Sequence, residues 1–144
     1  MRELALTQLS IANRDTYIFQ RRDGNTKISP HRISWFGAVI NEGEEPVSAV
    51  IQALRIQTSL DVSELVFSEP DVYEVPARYS SSKELVKVHL FKTILKASQI
   101  DFEVKEGTRT EIYTSHDLLA TNEVASTVRN VLEQMLTRPQ LSVD

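Results

Sequence analysis

"WFGAVINEGEEPVSAVIQALRIQTSLDV", residues 35 to 62, is the stretch on which the reading of this chain turns. Gly37 sits inside a run of strand-forming residues, where a missing side chain marks a bulge or a close approach to a ligand. "NEGEE" then supplies an acidic turn, and Pro46 suits the first turn of a helix. From there Val47, Val50, Ile51 and Leu54 recur at helical spacing, which predicts a helix over 46 to 58 with these four as its core stripe. Ala49, Ala53 and Ile56 cluster on a side centred roughly 140° from the centre of that stripe, at about 100° per residue, so the helix carries a second apolar face. Either neighbouring loops collapse over that face, or a protein partner, a second copy of the chain or an apolar ligand meets it. No residue of this helix bears a carboxylate.

The periodicities on either side predict a chain of strands closed by a second helix. Residues 4 to 12 and 16 to 21 alternate as two strands around the turn "NRD", and 32 to 40 form a third. Trp35 and Phe36 are consecutive there, so strict alternation lets one of them face inward. Residues 64 to 76 and 84 to 97 read as extended, the latter with Val86, Val88 and Leu90 on one face and Leu85, Lys87 and His89 on the other. A strand near 109 to 114 leads into a short turn that Ser115 can cap. Thr121 or Asn122 can cap the last helix, whose Val124, Val128, Val131, Leu132 and Met135 form a core-facing stripe. "ARYSSSKE" at 77 to 84 reads as a mobile loop and 136 to 144 as a frayed tail.

Size and composition bound what such a chain can be. Its 144 residues suit a single domain, 1 to 144, and 41% hydrophobic with 25% charged residues is ordinary for a soluble fold. No segment approaches the roughly 20 apolar residues of a membrane span, and the start lacks the basic opening and apolar core of a signal peptide, so a cytoplasmic location is the expectation. There is no cysteine, which excludes disulfides, thiolate zinc sites and cysteine nucleophiles. A net charge of −4 argues against nonspecific nucleic-acid binding. No serine sits in a nucleophile turn of the G-x-S-x-G kind, no glycine-rich phosphate loop is present, and "EGEE" lacks the alternating ligands of a calcium loop.

With these elements in place, the chain resembles the Nudix superfamily, whose signature is G-x5-E-x7-R-E-U-x-E-E-x-G-U, with U an aliphatic residue. Setting Glu44 on the first glutamate makes "GAVINEGE" the counterpart of the usual Gly-Gly-x-x-Glu-x-Gly-Glu stretch, with Gly37 and Gly43 on glycine positions and Leu54 and Leu60 on the aliphatic ones. "YIFQRRDG" and "TEIYTSHDLLA" resemble flanking strands of the same family, Tyr113 standing where tryptophan is common, so the likeness spans roughly residues 4 to 136. It implies a Nudix-type α/β/α sandwich: a mixed, largely antiparallel sheet, a box helix on one side and a C-terminal helix on the other.

The departures fall on the chemistry. In that frame the signature's first glycine is Ala38, its arginine is Gln52, its three helical glutamates are Ala53, Ile56 and Gln57, and its last glycine is Ser59. Glutamates at i, i+3 and i+4 gather magnesium ions against a diphosphate and polarise water; alanine and isoleucine cannot ligate, and glutamine offers only a neutral oxygen. The resemblance would pair Glu44 with the motif arginine, which here is Gln52. A non-standard magnesium or manganese site would have to come from the loop acids Glu42, Glu44, Glu45 and Glu106, with Glu44 and Glu106 as the weak catalytic candidates.

An anionic ligand has a separate set of candidates. "QRRDGNTKISPHR" offers Arg21, Arg22, Lys27 and Arg32, since guanidinium forks suit phosphates, although such charges often only solvate a loop. Gly37 and Glu44 would help position the ligand. Trp35, Phe36, Tyr73, Tyr79 and Tyr113 are stacking candidates, more often core than site. His31, His89 and His116 have no evident catalytic partners.

The expected function is therefore a Nudix-fold protein with its catalytic glutamates replaced, non-hydrolytic or nearly so, that binds a nucleotide-like or diphosphate ligand or serves in an interaction. Two alternatives stand beside it. One is a metal-dependent pyrophosphohydrolase of nucleoside diphosphate-linked compounds with a non-standard metal site. The other is an oligomeric structural protein assembling through the Ala49, Ala53 and Ile56 face.

Overall fold

The computed structural model describes residues 1–22, 31–76, 84–105 and 109–137. Its centre is strand β1 (Arg2–Ile11). On one edge β1 runs parallel to β6 (Leu85–Leu95) over its whole length, from Arg2 opposite Val86 to Ile11 opposite Leu95. The other edge is shared: β4 (Phe36–Val39) pairs antiparallel with residues 4 to 7, and β2 (Tyr17–Arg21) with residues 9 and 10. β3 (Ile33–Ser34) pairs with the end of β2, β7 (Arg109–Tyr113) with the other edge of β2, and β5 (Asp71–Pro76) with β6. Among the described residues these form one mixed sheet in which β1 and β6 are the parallel pair and the other pairings are antiparallel.

The expected strand over 32 to 40 is thus two short ones, because the chain changes partner at Trp35, leaving β2 and joining β1. Both aromatics there are buried, in place of the single inward residue that alternation suggests. Trp35 packs in the cluster holding Leu6, Val88 and Leu90, and Phe36 in the one holding Leu9, Ile18 and Leu54. Since successive strand residues point to opposite faces, both faces must be covered.

Helix α1 (Pro46–Gln57) covers one face. Its buried residues are Ala49, Val50, Ala53 and Leu54, whereas Val47 is 37% and Ile56 52% exposed. Of the predicted stripe Val50 and Leu54 are buried and Ile51 packs partly buried against the core, whereas Val47 gives way to Ala49, which packs with Ala5, Val50 and Phe91. Ala49 and Ala53 are each 3% exposed, so the expected partner-binding face of Ala49, Ala53 and Ile56 is not one surface; only Ile56 is open. The opposite face carries α2 (Ser115–Ala120) and α3 (Ser126–Thr137), whose Leu118, Val128 and Val131 close the larger core over Leu6, Val88 and Leu90.

Other boundaries shift for local reasons. Of the extended stretch expected over 64 to 76, β5 begins only at Asp71, after Pro70, which has no N–H for a ladder. Before it, Asp61 caps a single 3-10 turn by accepting from Ser63 N at 3.1 Å. The cap of α2 is Thr114, whose Oγ1 accepts from Asp117 N, and Ser115 is the first helical residue. Neither Thr121 nor Asn122 caps α3. Residues 123 to 125 are held extended against β3 by Ile33 N to Glu123 O at 2.8 Å and Ala125 N to Ile33 O at 2.9 Å, so the helix starts later. The loop expected at 77 to 84 and the tail lie, but for Glu84 and residues 136 and 137, outside the described residues. No described helix is long and apolar enough to cross a membrane.

Candidate functional site

Two features meet at the junction where β4 leaves Trp35 and α1 ends. At Gly37 a Cβ would stand 2.1 Å from the Ala5 carbonyl oxygen and 2.6 Å from Leu6 Cδ2, so the close approach of β4 to β1 needs glycine. Against this backbone lies Gln57, whose Nε2 donates to Gly37 O at 2.9 Å while its Oε1 accepts from Gly37 N at 3.3 Å. The helix end is tied down further: Thr58 Oγ1 donates to Leu54 O at 2.7 Å, Lys105 N to Gln57 O at 2.8 Å, and Ser59 exchanges two bonds with Glu103.

The remaining box positions are placed as follows. Gln52 and Ile56 are exposed and Ala53 is buried. Gly43 takes a left-handed φ of 79° in the acidic turn, which favours glycine. Glu44 turns its carboxylate back on that turn, accepting from Asn41 N at 3.1 Å. Glu42 and Glu45 are exposed, and Glu106 lies outside the described residues, as do Lys27 and Tyr79.

A magnesium or manganese ion, which the family resemblance would imply, finds a poor donor set here. The three helical positions offer a methyl group, an aliphatic chain and an amide whose N–H already occupies the Gly37 carbonyl. Hard cations want several anionic oxygens. Among the described residues no group of three or more aspartate, glutamate or histidine side chains converges.

The arginines of the basic segment divide. Arg21 is committed: Nε and Nη2 donate to Glu111 at 2.6 and 2.8 Å, Nη2 also to Glu123 at 2.7 Å, and Nη1 to His31 O at 3.0 Å. Tyr113 OH donates to Glu111 in a short bond, and Arg109 Nη2 approaches the same carboxylate at 2.9 Å. These groups meet because β2 and β7 pair in register, putting Phe19 opposite Glu111 and Arg21 opposite Arg109 on one face. The Arg21 hydrogen bonds pull the Glu111 carboxyl down to about 2, against burial, and the same contact raises Arg21. Burial, then Glu111, pushes Tyr113 up.

Arg22 is driven down by burial and donates to Ser34 Oγ at 3.3 Å. Arg32 is exposed and gives Nη1 to Asn122 O at 2.8 Å. The two are neighbours, since Arg22 N donates to Arg32 O at 2.9 Å. Trp35, a candidate for lining a ligand site, is 1% exposed and stacked on Phe19, so it serves as core. Buried His89 pairs with Glu3 at 2.9 Å, lowering the Glu3 carboxyl, which is a structural role.

Sequence reasoning missed Glu111 and Glu123 as the partners of Arg21. The alternation of "RTEIY", with Arg109, Glu111 and Tyr113 on one face, was the available signal for the first.

No protein-family model matches the sequence, and no curated protein matches it. Solved structures do. A Deinococcus radiodurans protein matches at 13% identity over 92% of this chain and 82% of its own, with a TM-score of 0.72. A mutT/nudix family protein from Listeria innocua matches at 13% identity over 94% of this chain and 91% of its own, TM-score 0.67. The Ap4A hydrolase of C. elegans matches at 11% identity over 94% and 96%, TM-score 0.66. At such identities the likeness speaks for architecture alone, and that architecture, a mixed sheet between α1 and the α2–α3 pair, is the Nudix fold.

Proposed function

We propose that this protein is a Nudix-fold binding domain that holds a nucleotide-like or diphosphate-bearing ligand without hydrolysing it. The observation that carries the reading is the Gln57–Gly37 amide pair. Where a cation would need carboxylate oxygens, the helix end presents an N–H donor already satisfied by backbone. Ala53 and Ile56 add nothing that can ligate or polarise water.

For the anion, Arg22 and Arg32 are the binding pair. They sit side by side across the β2–β3 ladder, and Arg32 keeps N–H groups beyond the one bonded to Asn122. Arg21, spent on Glu111 and Glu123, positions this edge and does not grip the ligand. Gly37 and Glu44 shape the floor and the neighbouring turn. A nucleotide is the chemistry to try first, given the fold shared with an Ap4A hydrolase.

The test is a panel of nucleoside diphosphate-linked compounds, assayed for turnover with magnesium and with manganese and for binding by thermal shift. Binding that Arg32→Ala weakens by roughly tenfold, with no turnover, is expected, since charge-assisted bonds to phosphate exceed neutral ones. Turnover that a chelator abolishes and Glu44→Gln lowers would mean that loop acids build a metal site and that the protein is a hydrolase. Neither turnover nor binding would sink the ligand-binding reading.

A further inference from the structure

A second site lies at the other end of the α3-covered face. Along β1 the residues pointing to that face run Leu4, Leu6, Gln8, Ser10, and along β6 their partners run Val88, Leu90, Lys92, Ile94. The face changes from aliphatic to polar halfway along, and the change coincides with a cavity of about 460 Å³. Tyr17, Leu118, Leu132 and Met135 wall it, and Arg14 and Lys92 stand among its lining residues.

Gln8 is the anomaly. It is 6% exposed, it lines the cavity, and its amide makes no hydrogen bond to any described residue. The other buried glutamine, Gln20, donates to Trp35 O at 2.9 Å. Buried amides are ordinarily bonded, to protein or to ordered water, and this one, which is not sealed off as Thr16 Oγ1 and Trp35 Nε1 are, is open to a partner. An apolar side chain here would extend the Leu4–Leu6 stripe and cost nothing in unpaired groups, so the amide points to a bonding partner that enters from the cavity.

The remaining chemistry specifies that partner. The walls suit a flat or branched hydrocarbon body, and the volume lies in the range of small-molecule sites. Arg14 is exposed at the turn after β1, its backbone N bonded to Ile11 O at 3.2 Å and its guanidinium unpaired among the described residues. Lys92 is exposed and shares its charge with Asp71 at 3.4 Å. We propose that this cavity binds a small aryl carboxylate: a hydroxyl or carbonyl at the inner end bonds Gln8, the ring lies between Tyr17 and α3, and the carboxylate meets Arg14 at the outer end. This site uses none of the residues of the nucleotide reading and stands or falls apart from it.

The experiment is a titration of the full chain with 4-hydroxycinnamate and with cinnamate, followed by the side-chain amide resonances of glutamine and by calorimetry. Saturable binding of 4-hydroxycinnamate is expected, with the Gln8 amide shifting and with affinity roughly tenfold above that of cinnamate, the worth of one buried hydrogen bond. Gln8→Leu should abolish the preference between the two probes, and Arg14→Ala should weaken both. Three results overturn the proposal: no saturable shift, equal affinities in the parent chain, or preference unchanged by Gln8→Leu. Nuclear Overhauser contacts in the ligand-free chain between Gln8 and methyl groups of residues 141 to 144 would also overturn it, because the chain itself would then occupy the cavity. Gln8→Leu removes an unpaired amide, so the variant is expected to fold, and its melting temperature checks that.

Discussion

Gln57 and Gly37 trade amide for amide: Nε2 donates to the glycine carbonyl at 2.9 Å, and Oε1 takes the glycine N–H at 3.3 Å. The pair joins the end of α1 to β4 across 20 residues of chain, at the point where the box signature would place a glutamate. A glutamate would keep the acceptor and lose the donor, setting an anionic oxygen against a carbonyl.

Gln57→Glu should therefore lower stability by about 1–3 kcal/mol at neutral pH, the cost of leaving a partly buried acceptor unmet. Protonation of the new carboxyl restores a donor, so the deficit should shrink at mildly acidic pH. Urea denaturation at both conditions measures this. A variant as stable as the parent at neutral pH would show that the amide pair does not hold the junction.

Glu111 carries the pH dependence. Its folded carboxyl is drawn to about 2 from an ordinary 4.5, chiefly by Arg21. A depressed carboxyl contributes stability that is present above 4.5 and lost as pH falls toward 2. At 1.36 kcal/mol per unit the shift sets an upper bound of roughly 3 kcal/mol, which solvent screening at this partly open carboxylate reduces to about 1–2 kcal/mol. Glu111→Gln should flatten the stability profile across that window. Arg21→Met, which leaves Glu111 with only Arg109 and Tyr113 and takes the ion pair from Glu123, should cost clearly less than the roughly 3–5 kcal/mol of a fully buried pair, because Glu111 keeps those two partners and the Glu123 end is open to water. An unchanged acid limb in Glu111→Gln would remove this residue from the account.

Thr7 and Thr93, both fully buried, share one hydroxyl hydrogen bond of 2.9 Å beneath α1. Replacing either alone by valine leaves an unpaired hydroxyl in the core and should cost about 1–3 kcal/mol, whereas replacing both should come near to neutral. A double-mutant cycle in urea reads the coupling directly. Simple additivity of the two losses would contradict the pairing.

Ile56→Glu tests the assembly reading. With Ala49 packed on Ala5 and Phe91 and Ala53 buried, Ile56 is the member of that trio left at the solvent side. The substitution should change stability within about 0.5 kcal/mol, as exposed positions do, and leave the mass in light scattering unaltered. Loss of an oligomer in the variant would restore the helix face as an interface.

Much of this molecule was legible in its sequence, because the information was local. Pro46 and the spacing of apolar residues after it define α1 to within a residue, and the 11-residue alternation of β6 is plain in "LVKVHLFKTIL". The absence of carboxylates from Ala53, Ile56 and Gln57 needs no structure at all, and neither does its consequence for cation binding.

What only the tertiary structure decided depends on who sits opposite. The buried side of α1 is set by Ala5 and Phe91, which take up Ala49 while Val47 stays exposed. Both aromatics at 35 and 36 are buried because helices cover both faces of the sheet. Arg21 reads as a phosphate ligand until Glu111 and Glu123, 90 and 102 residues further along, claim its guanidinium. Gln8 is by sequence one polar residue in an alternating strand, and only the fold places it in a cavity walled by Leu132 and Met135 of α3. Periodicity says which side of an element is apolar, but charge pairing, burial and cavities belong to pairs of distant residues, and those pairs exist only in the folded chain.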